Sequence, residues 1–85
     1  MSNNINTLIN SNKQAILESS ECACIFCLKR YEPKLVSKYS NTNTATCYYC
    51  DMESVVPNKL LNYTDKMLLE MRNVKFDHIT FYQIN

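Results

Sequence analysis

The chain has 85 residues, 46% of them hydrophobic, and a formal net charge of +1. That length supports a single domain, spanning 1–85, whose small core calls for an added staple, and the near-zero charge argues against a general polyanion-binding surface. The five cysteines are odd in number, the start Met1-Ser2-Asn3-Asn4 lacks signal-peptide features, and no apolar run reaches membrane-spanning length. A cytoplasmic protein that uses thiolates as ligands is therefore expected, not a disulfide scaffold or a membrane protein.

In chain order, residues 5–19 read as an N-terminal helix. Ile5, Leu8, Ile9 and Ile16 fall near one face and Asn12 interrupts the stripe. Ser11 and Gln14 have capping-box spacing, so the segment is either one helix with a frayed first half or a capped helix beginning at Ser11. Residues 22–57 carry the cysteines. Within them Pro33 suits a helix start, and Leu35, Val36 and Tyr39 recur at helical spacing, which predicts a turn of helix between short strands. Ser54-Val55-Val56-Pro57 reads as a brief extended run ended by proline.

Residues 64–75 read as a C-terminal helix, with Thr64 as N-cap, Asp65 favourable to the helix dipole, and Met67, Leu68, Met71 and Val74 as an apolar stripe. Residues 76–85 alternate only loosely and fit a strand, a docked extension or a partly ordered tail. The chain has no glycine, so Asn41, Asn43, Asn58 and Asn62 are expected to take the left-handed turn positions.

Cys24-Ile25-Phe26-Cys27 and Cys47-Tyr48-Tyr49-Cys50 stand with 19 residues between them. This spacing predicts a four-thiolate site at Cys24, Cys27, Cys47 and Cys50 holding one structural Zn2+, with each pair curled around the metal as a knuckle. A closed tetrahedral shell leaves no position for an activated water. Mononuclear iron, an iron–sulfur cluster and a redox dithiol are the alternatives. Cys22 reads as a free thiol beside the site, although it can be exchanged for Cys24 as a ligand with a less favourable spacing. Four thiolates subtract four from the formal charge of +1 and a zinc(II) ion adds two, leaving −1.

Several stretches share an ordered pattern: Ile16 to Ser19, Cys22-Ala23-Cys24-Ile25-Phe26-Cys27-Leu28, Tyr31-Glu32-Pro33-Lys34-Leu35-Val36, Tyr39, Thr44 to Val56, and Leu68-Leu69-Glu70-Met71. Together they resemble a group of short bacterial zinc-ribbon proteins known only as cytoplasmic proteins. In that group I-x-x-S precedes C-G-C-F-Y-C-L, then come an aromatic, P-x-E-I, a tryptophan, T-A-L-C-P-x-C-G-x-D-S-V-I, and a helix with F-L-x-x-M. Here Asp51 replaces the glycine, Glu53 the aspartate and Tyr39 the tryptophan, while Asn12-Lys13 stands where His-Arg is common. The resemblance implies a small α+β zinc ribbon, with two knuckles on short strands, flanked by N-terminal and C-terminal helices. It implies no activity, because the group has none established.

For function, the leading expectation is a non-catalytic regulatory or adaptor module for a protein partner, with Tyr31, Tyr39, Tyr48, Tyr49, Tyr63 and Tyr82 as possible anchors. Surplus apolar surface on the C-terminal helix would be a homodimer or partner site. The alternative is a nucleic-acid-binding ribbon, with Lys29, Arg30, Lys34 and Lys38 on phosphates and Tyr48 or Tyr49 stacking on bases. Catalysis is not expected: the sequence has no nucleophile–base pairing, paired carboxylates or phosphate loop, and only His78 offers a route to an open metal site. A host regulator and a phage or mobile-element product fit equally well.

Overall fold

The computed structural model describes residues 3–84, with side chains from 5 to 76. Helix α1 (Asn3–Ile9) and the short helix α2 (Lys13–Leu17) are followed by strands β1 (Cys22–Cys24) and β2 (Arg30–Tyr31). A 3-10 turn (Pro33–Leu35), strand β3 (Val55–Pro57) and the long helix α3 (Asp65–Ile84) complete the order. The strands form an antiparallel sheet in the order β2-β1-β3, with Cys22 opposite both Tyr31 and Pro57, and Cys24 opposite Val55.

The alternation of side chains along β1 and β3 divides the interior into two clusters. Ala23 and Val56 join Ile5, Ile9, Ile25, Tyr63, Leu68 and Phe76 beneath α1 and α3. Cys22, Cys24 and Val55 belong to the other cluster, with Ile16, Tyr31, Val36, Ala45 and Cys47. The central strand is thus buried on both faces: one side anchors α1 and α3, and the other carries the cysteines together with Ile16 of α2. Each fully buried Ile or Leu in these clusters is worth about 1.5–3 kcal/mol.

The N-terminal segment is two helices, not one, and the second does not begin with a Ser11 cap. Ser11 takes a left-handed φ of 49° and Asn12 is the residue before α2, with no side-chain capping bond of its own. Asn12 is needed elsewhere. Buried between the layers, its amide nitrogen donates to the carbonyls of Leu8 and Val55 at 3.0 and 2.7 Å, and its oxygen accepts from the Ala45 amide at 3.0 Å. The Ser11 amide donates to Thr44 Oγ1 and the Lys13 amide to the Asn43 carbonyl, so residues 11–13 are laced to 43–45. What reads as an interruption of a helical stripe is the joint between α1, β3 and the loop before the second cysteine pair.

At the other end, Thr64 caps α3 by accepting the Met67 amide on its hydroxyl at 3.2 Å. The helix runs on through Ile84 instead of stopping near residue 75, so the 76–85 tail is not a strand over 76–84. The inward row is Leu68 and Phe76 with Met71 beside them, while Val74 is 56% exposed, which corrects the expected stripe. His78 and Tyr82 lie outside the residues whose side chains are described. Of the four asparagines expected at left-handed positions only Asn43 has a positive φ; Ser11, Leu28 and Asp51 take the others. The second cysteine pair also lacks a regular strand before it: a single Tyr39–Ala45 bridge serves instead.

Candidate metal centre

The two Cys-x-x-Cys segments fold into near-identical turns. In the first, the Cys24 amide donates to the Lys29 carbonyl and the Leu28 amide donates back to the Cys24 carbonyl; in the second, Cys47 and Met52, and Asp51 and Cys47, make the same two bonds. Each turn closes with a left-handed residue, Leu28 or Asp51, both at φ 65°. In each, the amide two residues after the first cysteine points at its sulfur: Phe26 to Cys24 at 3.3 Å and Tyr49 to Cys47 at 3.4 Å. The Cys27 amide adds a 3.5 Å contact to Cys24 Sγ. Backbone N–H groups aimed at a sulfur favour its thiolate form.

The sheet and the loop bring both turns together. The sulfurs of Cys24, Cys27, Cys47 and Cys50 all lie within 4.8 Å of one another. Cys24 and Cys50 are 3.6 Å apart and Cys27 and Cys47 3.7 Å, while all five cysteines are free thiols. A disulfide would require about 2.0 Å. A tetrahedral tetrathiolate shell with metal–sulfur bonds of about 2.3 Å has sulfur–sulfur edges of about 3.8 Å, close to the separations seen here. These four residues can hold a metal ion, and their geometry fits one.

Compared with protein-family models, curated proteins and solved structures, the chain matches none of them. The centre must therefore be read from its own chemistry. Ser54, buried at the end of the loop, places its hydroxyl 3.1 Å from Cys24 Sγ and can donate to a thiolate there. Burial raises the Cys47 thiol, but hydrogen bonds from the Tyr31 hydroxyl and the Cys50 and Tyr49 amides outweigh it and bring Cys47 down to about 7. The Tyr31 hydroxyl also accepts the Tyr48 amide, which ties the second turn to β2. Burial pushes Cys27 and Cys50 upward, so protons must leave these thiols as a metal enters.

Cys22 is not in the cluster. It is fully buried on β1 beneath Tyr31, its thiol 3.6 Å from the Tyr31 carbonyl, and burial pushes it up to about 12.

The basic residues near the first turn are largely engaged. Arg30 is bonded to Glu21 at 3.1 Å and to Asp65 at 2.7 Å, Lys34 lies 3.4 Å from Glu32, and Lys38 lies 3.7 Å from Asp51. Lys29 sits over the Tyr49 ring at 5.5 Å. Tyr48 and Tyr49 are 55% and 50% exposed and meet edge to face, with Tyr31 buried behind them. Asn12, Ser54, Phe26 and Arg72 carry no role in the sequence pattern alone. Ser54 lies in the second cysteine motif and was findable there; the others act through partners distant in the chain. Among the described residues no helix is long and apolar enough to cross a membrane.

Proposed function

We propose that this chain is a zinc ribbon, akin to the short bacterial proteins its cysteine motifs resemble, and that it works without catalysis as a regulatory or adaptor module for a protein partner. Cys24, Cys27, Cys47 and Cys50 would hold the ion. Four soft thiolates suit zinc(II), which in such a shell supplies a structural crosslink and no open position for a reacting water. The backbone amides and the Ser54 hydroxyl offset the charge that the thiolates gather.

The observation that carries the partner reading is the unequal cover of two equal turns. The tip of the first, Ile25-Phe26, is buried or half-buried, with Phe26 beneath Arg72 and Phe76 of α3. The matching tip of the second, Tyr48-Tyr49, is half exposed and has no helix over it among the described residues. Rigid, exposed aromatic rings on a metal-fixed turn lose little entropy when they are covered, which suits a protein interface. Glu21, Glu32, Asp51 and Asp65 stand beside Arg30, Lys34 and Lys38 and lower the local positive potential that a phosphate would meet, which weighs against phosphate binding.

A photo-crosslinking residue placed at Tyr49, and separately at exposed Leu17 of α2 as control, tests this in cells producing the full chain. A protein adduct from position 49 and none from 17 is expected. A nuclease-sensitive adduct from 49 would replace this reading with the nucleic-acid one, and equal labelling from both positions would refute a dedicated surface. In solution, single-stranded oligonucleotides should fail to bind at 0.1 M salt.

A further inference from the structure

We propose that α3 helps to set the affinity of the metal centre, with Arg72 as a positioning residue that holds the first Cys-x-x-Cys turn in its ligating shape. This rests on the metal reading above. Arg72 Nε donates to the Phe26 carbonyl at 2.9 Å, and its guanidinium lies 5.8 Å from the centre of the Phe26 ring. The Phe76 ring, one helical turn on, meets the same Phe26 ring edge to face at 5.0 Å and 72°.

The carbonyl that Arg72 grips and the Cys27 amide belong to one peptide group. That amide points at Cys24 Sγ at 3.5 Å, and the Phe26 amide points there at 3.3 Å. A chain of contacts therefore runs from guanidinium through a peptide plane to a ligand sulfur. A cation bonded to the carbonyl polarises the peptide, makes its N–H a better donor to a thiolate, and resists rotation of the plane away from the sulfur. Cys27, the next ligand, hangs from that plane.

The coupling is reciprocal. If docking of α3 favours the ligating shape, metal binding favours docking of α3 by the same factor. Among its described residues α3 buries Leu68 and Phe76, and the Arg72–Phe26 contact adds to their attachment.

The test is zinc affinity of the full chain, measured by competition with a chromophoric chelator, for the wild type and for Arg72→Ala, Arg72→Lys, Phe76→Leu and Leu69→Ala. Outer partners of metal ligands typically govern affinity by about 10–100-fold. Arg72→Ala is expected to bind zinc roughly 10-fold more weakly, at the low end of that range because its contact is with the backbone. Arg72→Lys, which keeps a cation and a donor at the carbonyl, should recover most of the loss, and Leu69→Ala, on the exposed side of α3, should match the wild type. Equal affinities for wild type and Arg72→Ala, or a loss in Arg72→Lys as large as in Arg72→Ala, overturn the proposal. Should Arg72→Ala fail to fold, Phe76→Leu decides: weaker binding supports the coupling and unchanged binding overturns it. A wild type that binds no zinc refutes the metal reading itself, a result separate from any difference between variants.

Discussion

Replacing Asn12 by alanine tests whether one buried amide joins the layers of this fold. The side chain makes three hydrogen bonds, to Leu8, Val55 and Ala45, which lie in or beside three different parts of the chain. Truncation leaves the Val55 carbonyl and the Ala45 amide in a buried site without their partner. Each orphaned buried group costs about 1–3 kcal/mol, so Asn12→Ala should destabilise by roughly 4 kcal/mol. In a domain of this size about 1 kcal/mol moves the melting temperature by about 4–8 °C, giving an expected fall of about 15 °C or more. The comparison is made by circular dichroism at fixed free zinc, since a bound ion adds to apparent stability. Asn41→Ala, at an exposed position of the loop that leads to Ala45, is the reference. Asn12→Asp should cost at least as much as alanine, because it sets carboxylate oxygens against two carbonyls. A melting temperature for Asn12→Ala within a few degrees of Asn41→Ala would refute the reasoning.

Cys47→Ser should lose both the metal and the fold, since a hydroxyl cannot replace a thiolate ligand; retention of one equivalent of metal with an unchanged thermal transition would oppose this. Cys22, with its thiol raised from 9 to about 12, carries about a thousandfold less thiolate at neutral pH than an ordinary cysteine, and iodoacetamide should label it only after chelation and unfolding. The sign of the same shift makes Cys22 protonation a stabilising contribution that is complete below about pH 9 and disappears as pH rises toward 12, which alkaline denaturation of a Cys22→Ala variant would read as a flatter profile. Leu28→Gly relieves a left-handed φ of 65° and should stabilise by about 1 kcal/mol, visible as a raised denaturation midpoint. Lys34→Glu with Lys38→Glu should leave folding intact, because both side chains are exposed and their ion pairs are worth little.

The cysteine spacing, the extended Val55–Pro57 run and the Thr64 cap were legible because each is a local signal: a pair of ligands on a tight turn, β-branched residues before proline, a hydroxyl before a helix. The N-terminal break was not. Asn12 reads as polar noise in an apolar stripe until its partners, 33 and 43 residues away, are in place. The same holds for Arg72, whose acceptor is a backbone carbonyl 46 residues earlier. The absence of glycine pointed correctly to substitutes at left-handed positions but not to which ones. Leu28 and Asp51 occupy them because the turn around a first-cysteine sulfur demands that backbone angle whatever the side chain, and the propensity of asparagine does not decide it. The basic run after Cys27 suggested a charged face; three of its four members prove to be paired with acids that lie from two to thirty-five residues away.

The claim on which the rest depends is that the four-sulfur cluster is a structural zinc site, and native mass spectrometry of protein purified without added metal tests it most directly. The account predicts one zinc per chain, held by four deprotonated cysteines with Cys22 still a thiol, and loss of the fold when a chelator strips the ion. A metal-free chain that keeps its fold, or a chain that carries iron with visible absorbance, would contradict it.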